Sequence, residues 1–408
     1  MRVLYVNHTL QPSGATVSLG TLLRHAPDRD AARVMLRAGA NVTETLGLTE
    51  AQIVEERWMP HYPTTVYGRG YGPVLWAWHA AKLAPAWRHF RRIVAREQVD
   101  LVHLNESSLL AYAWFSAWRR LPVVLHARTV IRPCGLARRA LARCARIRRL
   151  RVLCVDAETH ASLPIVLRAK ATLLPNPIAL TASRDAAARA RLRAAWGGDD
   201  ATLFVGQVAS LHAEKGVWMF LEMARIASAR DARLRFVLVG DDRPGRGLGP
   251  ELKARAEAMG LSGRLVFAGY RTDLAEVYAA LDLVTVLFGQ GLGGIGRSAF
   301  EAGLCGLPVV ATCPDVRSPM LFGGEAGRIV APDDREGIVR EVLALAGSAD
   351  ARRALGARAR ALLTPRHDPA AYAARVAEIY AELTESDFPR RFDREAREGA
   401  AAGRAAQP

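Results

Sequence analysis

The sequence predicts an α/β chain of two doubly wound, Rossmann-like domains, and three observations carry that expectation. Short apolar runs fit for buried parallel strands alternate with helical stretches from residue 2 onward. Residues 281–312 read as apolar run, glycine loop, Ala-rich helix and second apolar run, the order of a phosphate-binding βαβ unit. At 408 residues the chain exceeds one ordinary domain, and a strong strand pattern restarts at 202–205 after an Ala/Arg-rich stretch.

Half of the residues are hydrophobic and 24% are charged, the balance of a globular chain. No stretch reaches the roughly 20 uninterrupted apolar residues that a spanning helix needs. Residues 1–6 lead into a strand without a signal-peptide pattern, so a cytoplasmic protein is expected. Cys134, Cys144, Cys154, Cys305 and Cys313 form no C-x-x-C and no ligand set, which points to free thiols and no metal. The net charge of +16 favours polyanions. Arg/Ala bias explains it blandly; a basic face peripheral to anionic lipid is the functional reading. With no RNA-binding signature, nucleic acid is not expected as a partner.

In chain order, residues 2–6 form a strand, residues 12–15 a small-residue loop, and the run through Leu23 an apolar-periodic helix. Between Trp58 and Arg96 an aromatic, basic tract of helical character includes Tyr62, Tyr67, Tyr71, Trp76, Trp78 and Trp87. It suits a membrane interface and a core-facing helix equally. Residues 99–104 are a strand ending in Asn105 and Glu106, where open α/β sheets bind ligands. Residues 122–128 repeat the arrangement, with His126 and Arg128 projecting from the strand end. Residues 138–151 read as one dense basic helix, solvated or facing phosphate. A strand at 152–155 and a linker helix and loop at 182–200 place the domain boundary near Asn176.

The second half offers strands at 202–205, 235–240 and 264–270 and a helix at 251–259. Asp241 and Asp242 do not make a D-x-D metal site. After the strand at 281–288, Gly291, Gly293, Gly294 and Gly296 allow a tight turn and close backbone approach to a ligand. The helix they open, residues 297–304, carries Glu301, and its free N–H groups favour an anion. Residues 291–296 formally satisfy G-x-G-x-x-G, with Asp315 roughly where a ribose-binding acid is sought, so a nicotinamide site competes. That fingerprint normally follows a domain's first strand, whereas this loop follows a late one. Strand 327–330, helices 333–345 and 370–383, and a disordered charged tail at 386–408 complete the chain.

Residues 300–311, FEAGLCGLPVVA, resemble the donor-site signature of the family 4 retaining glycosyltransferases, which have the GT-B fold. Residues 206–216, GQVASLHAEKG, resemble that family's V-G-R-L-x-x-E-K-G, and residues 99–104, 122–126 and 173–178 its corresponding first-domain and crossing elements. The resemblance implies two Rossmann-like domains facing each other across a cleft. Residues 1–175 would bind acceptor, 176–365 nucleotide-sugar donor, and 366–385 would form a helix crossing back to the first domain, before the tail at 386–408. It implies sugar transfer to a hydroxyl of a glycan or lipid-linked acceptor with retention, in polysaccharide biosynthesis, without cofactor or obligatory metal. Lys215 and the amides of Gly294, Ile295 and Gly296 would stabilise the leaving diphosphate. Glu301 would accept the ribose hydroxyls, His126 would lie beside the sugar, and the Gly14 loop would close over donor and acceptor. Gly269, Tyr270 and Arg271 would border the base, Ser210, Gly293 and Arg297 would complete the donor site, and Asn105 and Arg128 would meet the acceptor.

Three positions depart from the family pattern. Gly293 stands where the first Glu of E-x7-E is usual, Ser210 where Arg is usual, and Pro177 where Gly is usual. Gln207 and Arg297 are nearby substitutes for the missing Arg. A GT-B-like binding or scaffold protein that no longer transfers sugar is therefore a second reading, and an NAD(P)-dependent oxidoreductase a third.

Overall fold

The computed structural model describes residues 1–66, 72–183, 185–241, 248–288, 296–313, 321 and 324–385. The chain divides into two compact units, residues 1–177 with 368 onward, and residues 178–367.

The first unit is a seven-stranded parallel sheet: β1 (Val3–Asn7), β2 (Arg33–Arg37), β3 (Ile53–Glu56), β4 (Leu101–Leu104), β5 (Val123–Ala127), β6 (Leu150–Cys154) and β7 (Ala171–Leu173). Its order is β3-β2-β1-β4-β5-β6-β7. β1, β4 and β5 are buried at every position, because helices cover both faces. One face packs Val6, Leu104 and Leu125 with Phe90, Ile93, Tyr112 and Phe115 of helices Leu83–Arg96 and Leu110–Trp118. The other packs Tyr5, Leu101 and Val124 with Leu19 and Leu22 of helix Gly14–His25 and with Tyr372, Val376 and Tyr380 of helix Pro369–Thr384. The last described helix thus belongs to the first unit, and a 2.6 Å hydrogen bond between His103 Nδ1 and the Tyr380 hydroxyl fastens it beneath the sheet.

Two sequence expectations need correction in this unit. The aromatic tract is not one helix: residues 58–66 are non-helical, and helix Pro73–Ala81 starts behind Gly72 with a proline in its first turn. The basic run 138–151 is likewise broken. Helix Leu136–Arg143 gives way to a single 3₁₀ turn, Cys144–Arg146, and β6 has begun by Leu150. The alternation of buried Leu150, Val152 and Cys154 sets this end, while Arg151 reaches Glu382 at 3.2 Å.

The second unit is a six-stranded parallel sheet: β8 (Leu203–Val208), β9 (Leu234–Val239), β10 (Leu265–Gly269), β11 (Leu283–Val286), β12 (Val309–Thr312) and β13 (Arg328–Val330). Its order is β10-β9-β8-β11-β12-β13. Phe220, Leu221, Phe236 and Leu238 centre its core. Helix Arg297–Leu304 and β12 fall where the sequence puts them, and Gly303 packs so closely on the 19-residue helix Ala349–His367 that an added Cβ would lie 2.5 Å from Leu363. Each sheet reverses its winding once, between β1 and β4 and between β8 and β11. Ligands of open α/β sheets bind outside the carboxyl ends of the strands at such points.

Candidate active site

At the β8/β11 switch point, Gln207 is buried near the end of β8. Its Nε2 donates to the Lys215 carbonyl at 2.9 Å, and its Oε1 accepts from the Thr285 hydroxyl at 3.3 Å and the Leu287 amide at 3.4 Å. Gln207 is therefore a brace between strand ends and the Lys215 turn, not a replacement cation.

Lys215 ends a 3₁₀ turn, and Gly216 follows with φ +62°. A Cβ on Gly216 would come 2.3 Å from the Leu287 carbonyl oxygen, so only glycine lets the turn press onto the end of β11. This places Lys215 Nζ 4.8 Å from the centroid of the Phe288 ring. Gly296, the cap of helix Arg297–Leu304, touches the same ring; a Cβ there would lie 2.8 Å from it. Thr312 clamps Phe288 by accepting from its amide at 2.6 Å and donating to its carbonyl at 3.2 Å. An ammonium and a helix start without a side-chain cap therefore share one aromatic ring at the switch point.

Glu301 is 8% exposed, and both of its oxygens are held. Oε1 accepts from Arg297 Nε at 2.7 Å and Oε2 from the Tyr278 hydroxyl at 3.1 Å. Burial, reinforced by Glu301 itself, pushes the Tyr278 phenol far up, so it remains a donor. Nearby, the Ser210 carbonyl accepts from the His212 amide at 2.8 Å, and the Gly240 amide donates to the Gly269 carbonyl at 2.9 Å. The second of these bonds joins the ends of β9 and β10. Tyr270 stands 65% exposed just beyond, and Arg271 Nε donates to Asp273 at 2.8 Å. Gly293, Gly294 and Ile295 lie outside the described residues, as do Tyr67, Tyr71, Asp242, Gly291, Asp315 and the tail at 386–408.

In the first unit, Asn7 ends β1 and Asn105 follows β4. Asn105 Nδ2 donates to Asn7 Oδ1 at 2.9 Å and to the Ala15 carbonyl at 3.4 Å, tying both strands to the start of helix Gly14–His25. Ser13 and Thr16 cap that helix reciprocally, leaving Gly14 exposed at its first position. Arg128 Nε donates to Asn105 Oδ1 at 2.8 Å and its Nη1 to Asn176 Oδ1 at 2.6 Å. His126 does not project from the strand end; it is the fourth residue of β5 and fully buried. Neither of its ring nitrogens has a hydrogen-bond partner among the described residues. Burial, then Arg128 and His103, hold it well below the usual histidine range, so the ring is neutral.

The sequence-predicted residues thus gather in two places: Gly14, Asn105, His126 and Arg128 in the first unit, and Ser210, Lys215, Gly269, Tyr270, Arg271, Gly296, Arg297 and Glu301 in the second. Sequence reasoning missed Asn7, Asn176, Tyr278 and Thr312. A polar residue closing an apolar strand was an available signal for Asn7 and Thr312; Tyr278 carries none.

Two parallel-sheet, Rossmann-like units with these switch points make the GT-B fold, and solved structures agree. One is HepE of Anabaena in complex with UDP, at TM-score 0.76 and 21% identity, covering 93% of this chain and 100% of that one. Another is WaaG, a glycosyltransferase involved in lipopolysaccharide biosynthesis, at TM-score 0.61 and 17% identity, covering 93% and 99%. Residues 200–348, within the second unit, match the family model described as glycosyl transferases group 1. Over 148 residues the chain is 34% identical to the lipopolysaccharide core biosynthesis mannosyltransferase LpsB of Rhizobium meliloti (strain 1021). That match spans 36% of this chain and 42% of the relative's length.

Proposed function

We propose that the protein is a retaining glycosyltransferase that moves a sugar from a nucleotide donor to a hydroxyl acceptor. The observation that carries this reading is the meeting of Lys215 and the start of helix Arg297–Leu304 on the Phe288 ring. A diphosphate at this switch point gains from the ammonium and the helix amides together, and gains most as it departs with added charge. Glu301, oriented by Arg297 and Tyr278, accepts the ribose hydroxyls, and exposed Tyr270 offers a face to the base. Asn105 and Arg128 hold the acceptor, and neutral His126 lies behind them. The departing phosphate takes the acceptor's proton, so neither a cofactor nor a metal enters the scheme.

HepE structures with UDP and UDP-glucose make uridine nucleotide sugars the first donors to try. The lipopolysaccharide roles of LpsB and WaaG support a glycan or lipid-linked acceptor. No described helix is long and apolar enough to cross a membrane; we place the enzyme in the cytoplasm, peripheral to the inner membrane face. The test is transfer and hydrolysis with a panel of nucleotide sugars, the product's anomeric configuration read by NMR. Lys215→Ala and Glu301→Ala should each depress turnover; unchanged turnover in both removes the site assignment, and an inverted product removes retention.

A further inference from the structure

Two successive helices of the first unit are built in opposite ways. Helix Leu83–Arg96 is ordinary: Ala86, Phe90, Ile93 and Val94 face the core, and Arg88, Arg91, Arg92 and Arg96 are exposed. Helix Pro73–Ala81, with the sequence PVLWAWHAA, is inverted. Its one polar side chain, His79, is its one buried residue, and half-buried Trp76 stacks on Tyr62 at 5.1 Å. Val74, Leu75 and Trp78 share the opposite face at i, i+1 and i+4, and are 81%, 45% and 48% exposed. A face of valine, leucine and tryptophan gains nothing from water, so it is a surface for an apolar partner to cover.

We propose that helix Pro73–Ala81 is the surface by which the protein lies on an anionic lipid bilayer. It gives the peripheral placement proposed above its contact face and rests on that placement; sugar transfer does not depend on it. Charge selects this partner. Residues 72–96, which span both helices, carry Lys82, Arg88, Arg91, Arg92 and Arg96 and no acid. The flanking acids are taken up within the fold, Glu56 in the interior against His89 and Glu97 by Arg33 and Arg96. Among the described residues Arg88, Arg91 and Arg92 make no ion pair, so their charge is available to lipid phosphates. Lys82 Nζ lies 3.0 Å from the centroid of the Trp78 ring, which sets an ammonium at the border of the apolar face. A tryptophan in the acyl boundary with a cation among the headgroups is the arrangement an interfacial helix needs. A second copy of this chain is a poorer occupant, since each copy would bring the same basic helix and no acid to the interface. The helix also stands where a bilayer would serve the acceptor side. The ring of His79 lies 4.6 Å from that of His61, and His61 5.5 Å from His8, the first residue past β1. This is the carboxyl edge of the sheet, where Asn105 and Arg128 also sit.

The test is co-sedimentation of the full chain with vesicles of phosphatidylcholine alone and of phosphatidylcholine mixed with phosphatidylglycerol. The mixed vesicles should capture the protein, phosphatidylcholine alone should capture it less, and rising salt should weaken capture. Trp78→Gln and, separately, the pair Arg91→Gln and Arg92→Gln change exposed positions and should each weaken capture by about tenfold or more. Both variants should keep the wild-type thermal shift with UDP, a sign that they fold and retain the donor site. Capture that both variants weaken, in protein without a response to UDP, keeps the surface and removes the donor site. Absence of capture in protein that UDP still stabilises overturns the surface and leaves the donor site standing. Capture that neither variant weakens overturns it too. A dimer in sedimentation equilibrium that Trp78→Gln dissolves assigns the face to a second copy, against the proposal.

Discussion

The two units handle buried polarity in opposite ways. At the β8/β11 ends, Gln207, Thr312, Tyr278 and Glu301 are all bonded to neighbouring backbone or side chains, so the strand ends are braced around Lys215. At the β1/β4 edge and beneath it, five histidines sit among cations and burial keeps them neutral: His8, His61, His79, His103 and His126. One unit satisfies its buried polar groups within the fold; the other keeps buried imidazoles neutral beside cations. The match to the family model lies wholly in the first kind, at residues 200–348.

The largest expected effect breaks the comparison with acid. The unfolded chain takes up a proton per histidine near pH 6.5, while folded His61 and His103 are held near 3 and His8 and His79 near 4. The unfolded state then binds more protons, so stability is complete above about 6.5 and falls as the pH drops toward 4, by on the order of several kcal/mol. Hydrogen exchange should show the amides of β1, β4 and β5 opening before those of β8 and β11; simultaneous opening contradicts the contrast.

Next in size is Lys215→Ala, expected to lower kcat by about 10²–10³-fold while leaving the melting temperature near wild type. Gly216→Ala forces a Cβ against the Leu287 carbonyl and should cost about 2 kcal/mol or more in denaturant unfolding, displacing Lys215 with it. The smallest is Tyr278→Phe. It removes one donor to Glu301 but keeps Arg297, so a rise in donor KM worth about 1 kcal/mol is expected. A loss as large as that of Lys215→Ala would mean that Glu301 depends on Tyr278 far more than on Arg297.

Much of the frame was legible because stop signals are local. Gly296, Gly306 and Pro308 bound helix Arg297–Leu304 and β12, whose observed limits match the sequence reading. β2 and β3 went unread: short, near the sheet edge and flanked by charge, they take strand form from pairing rather than from pattern. Helix Ala349–His367 was read only as composition, since its Ala/Arg run has little apolar periodicity and contains Pro365. Motif residues such as Lys215 were legible from spacing. Tyr278, and the bracing role of Gln207 that the sequence offers only as a substitute for Arg, were not, because these contacts are made by the folded chain and leave no periodic trace.

The most direct test is the thermal shift produced by UDP and by NAD(P), on wild type and on Lys215→Ala. Saturating UDP should raise the wild-type melting temperature, by the equivalent of about 2.7 kcal/mol at a hundredfold excess over Kd. Lys215→Ala should lose most of this shift, and NAD(P) should give none. Stabilisation by NAD(P) without a response to UDP, or an undiminished UDP shift in Lys215→Ala, would contradict it.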